Sequence, residues 1–155
     1  MGGGSVLVWA SFCVKGKSQI AFIRGRMNSE GYQTVLENFL LPFMDRWPEV
    51  EFVFQQDNAS IHVSNSTKQW LIEHGIDTLE WPAKSPDLNP IENLWGILVR
   101  DVYKDCRQFS NTQELKRAIL EAWERISLET LSTLIGSMQN RMIETLKLKG
   151  EVTKY

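Results

Sequence analysis

Two acidic residues in the middle of the chain have the types and positions that metal-dependent chemistry requires. Asp57 ends a predicted strand over 51–57, and Glu92 falls in the first turn of a helix predicted to begin at Asn89. Two carboxylates about 4 Å apart repel each other by roughly 4 kcal/mol at an effective dielectric constant of 20. Their oxygens are ligands that Mg²⁺ or Mn²⁺ prefers, and the pair therefore indicates metal-assisted phosphodiester chemistry.

Both acids also have plain structural interpretations. The Asp57 side chain could cap the turn that follows it. Glu92 stands three residues after Asn89, with Pro90 between them, and this order is close to an Asn-x-x-Glu capping box. The two roles are compatible, because a capping residue at the edge of an apolar stripe can also face a cleft. The spacing leaves both interpretations open.

Other candidate residues near these acids carry weaker signals. Asn58 and His62 follow Asp57 closely and are predicted as possible cleft neighbours, although an isolated histidine is more often a hydrogen-bonded structural residue. The sequence has no P-loop, no GxGxxG and no Ser-His-Asp signature, and neither Cys13 nor Cys106 has a partner at a metal-ligand spacing. We therefore expect no small-molecule substrate site, and we expect the two cysteines to be buried free thiols.

The hydrophobic pattern predicts the elements that must position these residues. Period-two and apolar runs indicate strands, 3- and 4-residue spacing indicates helices, and Pro42 should end or kink the first helix. Three of the five prolines lie between positions 82 and 90, which predicts an extended loop before Asn89. The order is that of an α/β layered domain with C-terminal helices. The predicted strands cover 6–14, 20–23, 51–57 and 78–81, and the predicted helices cover 29–43, 63–71, 89–102, 115–126 and 128–142.

Composition excludes several classes of protein. The chain has 155 residues, of which 43% are hydrophobic and 23% charged, as in an ordinary globular domain. No apolar run reaches the roughly 18 residues that a membrane span needs. The first residues lack the basic region of a signal peptide, so we expect an intracellular protein with no membrane partner. The net charge is −2, so any nucleic-acid contact must be local.

Two sequence blocks resemble a known family. QQDNASIH at 55–62 and WPAKSPDLNPIENLWG at 81–96 resemble the signature blocks of Tc/mariner-type DNA transposases. The opening GGGSVLVWASF and the closing KGEVTKY are also similar to the catalytic domain of that family. The resemblance covers essentially the whole chain. The spacing of Asp57 and Glu92, with glutamate as the last acid, resembles the Tc branch.

The resemblance implies a fold, a chemistry and a set of partners. It implies a ribonuclease-H-like fold that holds Mg²⁺ (or Mn²⁺) on three acids, with Asp57 as the second and Glu92 as the third. It also implies a cut-and-paste enzyme that cleaves DNA at transposon ends and joins it to a TA target. A nuclear location and a homo-oligomer follow as expectations. The 81–96 block disfavours a nuclease that acts on RNA–DNA hybrids.

The sequence departs from the family pattern at the first acid. In the family that acid lies on the first central strand, upstream of GGGS, whereas the earliest acids here are Glu30 and Asp45, in or beside the first helix. We therefore expect one partial catalytic domain over 1–155, with a core over 5–106 and a helical part over 110–150, that is inactive alone. The alternative is a remnant or domesticated non-catalytic module for DNA binding, protein binding or dimerisation.

Loss of the first strand would leave two strand edges unpaired. Unpaired hydrophobic edges favour pairing with another chain, so we expect a marginally stable or self-associating protein. A sheet that closes directly between 6–14 and 51–57 would remove that expectation.

Overall fold

The computed structural model describes residues 4–79 and 89–147, and the order of elements agrees with the predicted order. Most of the predicted proline loop, and the end of the predicted strand over 78–81, lie outside these residues. The strands are β1 (Leu7–Trp9), β2 (Phe12–Cys13), β3 (Gly16–Lys17), β4 (Ala21–Ile23), β5 (Val53–Phe54) and β6 (Asp77–Thr78). The helices are α1 (Ser29–Val35), α2 (Leu41–Met44), α3 (Ser60–Val63), α4 (Asn65–Glu73), α5 (Pro90–Val102), α6 (Thr112–Arg125) and α7 (Leu128–Lys147).

The predicted strands over 6–14 and 20–23 form an N-terminal hairpin, which has two short ladders. β1 pairs antiparallel with β4, with Val8 opposite Phe22, and β2 pairs antiparallel with β3 at the tip. Between the ladders, the backbone N–H of Ser18 donates to Ser11 O at 2.9 Å. Leu7 is 55% exposed, so this strand is not covered on both faces.

The first long helix is interrupted by one wide turn. Its N-cap is Asn28, whose side chain accepts a hydrogen bond from Gly31 N at 2.8 Å. Residues Leu36–Leu40 form a π-helical turn before Pro42 enters the first turn of α2. Because proline has no N–H and its ring clashes with the carbonyl of the preceding turn, a wider turn lets the chain continue to Met44. Pro42 therefore interrupts the helix and does not end it.

The second pair of strands is parallel and very short. β5 and β6 share the register Val53 to Asp77 and Phe54 to Thr78, and α3 and α4 connect them. Ser64 caps α4 through its side chain. The chain turns out of α4 at Gly75, whose φ of +65° favours glycine. Asp57 therefore stands three residues beyond the last paired residue of β5.

Two hydrophobic clusters hold these elements. The first joins the hairpin to α5, α6 and α7 around Trp123, whose indole Nε1–H donates to Ser18 O at 2.8 Å. The second joins α1 and α2 to α4, around the buried residues Tyr32, Leu36 and Leu71. No helix among the described residues is long and apolar enough to cross a membrane.

An open cleft separates the β1–β4 pair from the β5–β6 pair. In the described part of the chain β1 pairs only with β4 and β5 only with β6, so direct closure between 6–14 and 51–57 does not occur. A cavity of about 630 Å³ is lined by residues of both β1 and β5 and by residues of α1, α2, α5 and α7. One edge of each strand is therefore left without a backbone partner among these residues.

The cysteines only partly follow the expectation from sequence. Cys13 is half-buried in β2, whereas Cys106 is exposed, so the expectation of a buried thiol is wrong there. Cys106 ends a short 3₁₀ turn after α5 and has a φ of +57°.

We expect the open strand edges to make the protein self-associate. Sedimentation velocity over a range of protein concentrations should show a concentration-dependent shift to dimers or larger species, because the exposed edges offer unpaired N–H and C=O groups. A species that stays monomeric and melts cooperatively at high temperature would contradict this expectation.

We expect Trp123→Phe to lower the free energy of unfolding by about 2 kcal/mol, because it removes the hydrogen bond to the buried Ser18 carbonyl. Trp123 is 2% exposed, whereas Leu120 on the same helix is 45% exposed. Leu120→Ala is the control and should change stability by less than about 1 kcal/mol. Urea unfolding of both variants measures this difference, and equal losses would contradict the role of Trp123.

Candidate active site

Asp57 is fixed by two hydrogen bonds to one oxygen. Its Oδ1 accepts from the backbone N–H of Ala59 at 2.9 Å, which forms the predicted capping turn. The same Oδ1 lies 2.6 Å from Nδ1 of His62. The side chain is nevertheless 50% exposed. The capping interpretation is therefore satisfied while part of the carboxylate stays accessible.

His62 is held against the second hydrophobic cluster. It lies in α3, is 17% exposed, and its ring centroid is 4.3 Å from that of Tyr32. Gln56 connects the two residues, because its Nε2 donates to His62 O at 3.2 Å and its Oε1 accepts from the Tyr32 hydroxyl. Burial raises the pKa of Tyr32, and the nearby charge of Asp57 acts in the same direction. The tyrosine hydroxyl is therefore kept as a proton donor.

Sequence reasoning did not find Tyr32 and Gln56. Tyr32 lies on the apolar stripe of the first helix, so its spacing indicates core packing. Gln56 is one residue before Asp57 and had no assigned role. Only the approach of α1 to α3 brings the hydroxyl and the amide together, and this contact between distant parts of the chain has no signal in local spacing.

Glu92 is placed by the start of α5. Asn89 caps the helix, because its Oδ1 accepts from Ile91 N at 3.3 Å, and Pro90 occupies the first turn. The carboxylate of Glu92 makes no hydrogen bond or ion pair with any residue in the ranges 4–79 and 89–147. The reciprocal half of the capping box is therefore not formed within these ranges, and the acid is exposed.

The cleft brings together three of the four predicted site residues. Asp57, His62 and Glu92 line the same cavity of about 630 Å³. Asn58 does not line it and lies in a neighbouring pocket of about 400 Å³, which Asp57 and His62 also line. The rest of the larger cavity is mainly apolar and includes Trp9, Phe54 and Trp95.

The cleft offers some, but not all, of the oxygen ligands that a hard divalent cation needs. Asp57 and Glu92 contribute carboxylate oxygens, which Mg²⁺ accepts while keeping several water ligands. Among the residues that the structure describes, no group of three or more His, Cys, Asp or Glu side chains is arranged to hold a metal ion. The cleft therefore offers two protein carboxylates, and further ligands would have to come from water, from the nucleic acid or from other protein residues.

Comparison with known proteins identifies the family. A family model described as DDE superfamily endonuclease matches residues 2–116. The chain belongs to this family. The chain is also 47% identical over 154 residues to the Tc3 transposase of Caenorhabditis elegans, and 36% identical over 154 residues to the Tcb2 transposase of Caenorhabditis briggsae. The match covers 99% of this chain, but only 47% and 56% of those relatives, so the chain spans about half their length.

Solved structures confirm the predicted fold. The catalytic domain of the Mos1 mariner transposase, in complex with raltegravir and Mg, superposes with a TM-score of 0.78 over 96% of this chain and 84% of that one. The Mos1 paired-end complex with the left transposon end gives a TM-score of 0.84 over 95% of this chain and 44% of that one. Both are 19% identical to this chain. The DDE endonuclease chain therefore has a ribonuclease-H-like α/β fold, followed by C-terminal helices.

We expect Glu92→Gln to leave the free energy of unfolding within about 0.5 kcal/mol of the unmodified protein, because its carboxylate has no described partner. Asn89→Ala should lower the free energy of unfolding by about 1 kcal/mol, because the cap to Ile91 N is lost. Chemical denaturation measures both values. Because glutamine can keep a reciprocal cap, Glu92→Ala is measured beside these variants, and a loss for Glu92→Ala that equals the loss for Asn89→Ala would show that Glu92 acts as a capping residue.

Proposed function

We propose that this chain is the catalytic part of a cut-and-paste DNA transposase, with metal-dependent cleavage of DNA ends and strand transfer as its chemistry. One observation carries the proposal: Asp57 and Glu92 reach the same cleft from the end of β5 and the start of α5, and both remain exposed. Membership of the DDE endonuclease family and identity to the Tc3 transposase support it.

In the proposed site Asp57 and Glu92 would hold Mg²⁺ or Mn²⁺ through their carboxylate oxygens. Bound divalent cations supply Lewis-acid activation of the attacking oxygen and charge neutralisation at the leaving oxygen. Asp57 would bind through the part of its carboxylate that the contacts to Ala59 and His62 leave accessible. The attacking group would be water during cleavage and a 3′-hydroxyl during strand transfer.

We propose further that the 155 residues alone do not complete the reaction. Two carboxylates line the cleft, and the residues described provide no third acidic side chain beside them. Without a third protein ligand the cation would be held weakly, and the reacting groups would not be held in a productive geometry. We expect metal binding without DNA cleavage from this chain on its own.

The proposed partner is DNA, as transposon ends and a TA target, in the nucleus. One of the matched Mos1 structures holds a left transposon end, which supports DNA as the partner of a protein with this fold. The net charge of −2 gives no general attraction to phosphates, so DNA must contact a local surface.

A second candidate is a non-catalytic module that binds protein or forms dimers. The observation that favours it is the cleft between β1 and β5, where each strand has an edge without a described backbone partner. An extended segment from another chain could pair with these edges. In that case the acids would have no role in the interaction.

We expect Asp57→Asn and Glu92→Gln each to weaken Mn²⁺ binding by about tenfold or more, because each removes a charged ligand, and tenfold corresponds to about 1.4 kcal/mol. Glu121→Gln is the matched control, since Glu121 is an exposed acid on α6 that does not line the cleft. Electron paramagnetic resonance of free Mn²⁺ during a titration measures the affinity of each variant.

Two results separate the candidates. Equal Mn²⁺ affinity in the unmodified protein, Asp57→Asn, Glu92→Gln and Glu121→Gln would overturn the assignment of the metal ligands. Self-association and partner capture that survive neutralisation of both acids would then favour the non-catalytic module.

A further inference from the structure

We propose that His62 is a positioning residue for Asp57, one that fixes the rotation of its carboxylate by donating a hydrogen bond from Nδ1 to Oδ1. This inference rests on the proposed function, since it concerns how the acid is presented to a cation. The distance of 2.6 Å is that of a short, charge-assisted hydrogen bond. An ionised carboxylate can only accept, so Nδ1 must carry the proton.

Both hydrogen bonds of Asp57 are accepted by Oδ1, so its two carboxylate oxygens have different roles. Oδ1 accepts from both Ala59 N and His62 Nδ1, and a carboxylate oxygen offers about two lone pairs. Oδ1 is therefore saturated, and Oδ2 is the oxygen left for a cation. With the Ala59 contact alone the carboxylate could still rotate about its χ2 bond, whereas a second donor from a different direction fixes that rotation.

His62 can act in this way because it is itself held in place. Its ring lies against Tyr32, and its carbonyl accepts from Gln56 Nε2. The neighbouring carbonyl of Ile61 accepts from Thr67 Oγ1 at 2.7 Å, which ties α3 to α4. Hydrogen-bond partners that orient metal ligands are worth about 10- to 100-fold in metal affinity. The contacts around His62 are of this orienting kind.

Two substitutions distinguish positioning from packing. His62→Phe keeps an aromatic ring against Tyr32 but removes the donor to Asp57. His62→Asn removes the ring but keeps a side-chain N–H near the position of Nδ1. If His62 positions Asp57, Mn²⁺ affinity should fall about tenfold in His62→Phe and stay within about threefold in His62→Asn. If His62 only packs against Tyr32, His62→Phe should bind Mn²⁺ more tightly than His62→Asn.

The chain offers a matched control in His74. Its ring stacks on Trp70 with centroids 3.9 Å apart, and its Nδ1 lies 2.8 Å from a carbonyl oxygen, that of Trp70, with no acid involved. His74→Phe and His74→Asn should leave Mn²⁺ affinity unchanged. Mn²⁺ titration monitored by electron paramagnetic resonance, with a thermal melt of each variant, separates lost affinity from lost folding.

A measurement on the unmodified protein keeps the inference testable if His62→Phe fails to fold. A long-range ¹H–¹⁵N correlation spectrum reports which ring nitrogen carries the proton. We expect Nδ1–H for His62 in the metal-free protein, and the signal should shift in Asp57→Asn. A neutral ring protonated at Nε2 alone would overturn the inference, as would full Mn²⁺ affinity in a folded His62→Phe.

These outcomes also separate this inference from the proposed function. Weakened binding in Asp57→Asn together with unchanged binding in His62→Phe overturns only the role of His62. Unchanged binding in Asp57→Asn overturns the metal assignment itself, and the role of His62 as its positioning residue falls with it.

Discussion

The separation of β1 from β5 is the constraint on which the rest of the structure depends. In a continuous sheet, backbone hydrogen bonds would fix the distance between neighbouring strands. Here, within 4–79 and 89–147, those bonds do not connect the two strand pairs, and side-chain packing has to replace them. The first hydrophobic cluster packs the hairpin against α5, α6 and α7. The second cluster packs the first long helix against α4. Residues of both clusters line the cleft, and Trp9 and Cys13 of the hairpin also pack against the second cluster.

This arrangement decides how each acid is held. Among the residues that the structure describes, β5 is paired at Val53 and Phe54, so this ladder ends before Asp57 and does not fix that side chain. The contacts to Ala59 and His62 do so, and His62 in turn packs on Tyr32 of the second cluster. Glu92 is placed by α5, which belongs to the first cluster. The distance between the two acids is therefore set by how the clusters pack, and a substitution in either core is expected to alter it.

Local sequence patterns predict the features of the fold that depend on residues close together in the chain. The element order and the cap at Asn89 follow from patterns within a few residues, and the structure confirms them. The strand predicted over 51–57 is shorter, Val53–Phe54, so Asp57 lies beyond the strand and does not end it. The π turn is a local effect of Pro42 that the sequence predicts only as an end or a kink of the helix, whereas the open cleft follows from packing between distant segments. The contact of His62 with Tyr32 is of the same kind, since α1 must first pack against α3. The local patterns predict an α/β layered domain with C-terminal helices. The family resemblance predicts the specific fold, which is ribonuclease-H-like.

Hydrogen bonds, a helix dipole and water stabilise the two carboxylates of the cleft when no metal is bound. Asp57 is stabilised by two donors to Oδ1, and hydrogen bonds to a charged group are worth about 1.5–3 kcal/mol each when they are well formed. Glu92 has no described partner, but it lies in the first turn of α5, where the helix dipole favours a negative charge by about 0.3–1 kcal/mol. Both acids are exposed as well, so water screens their repulsion. A cation is therefore not needed to hold the acids in place, and the site can be formed before the metal binds.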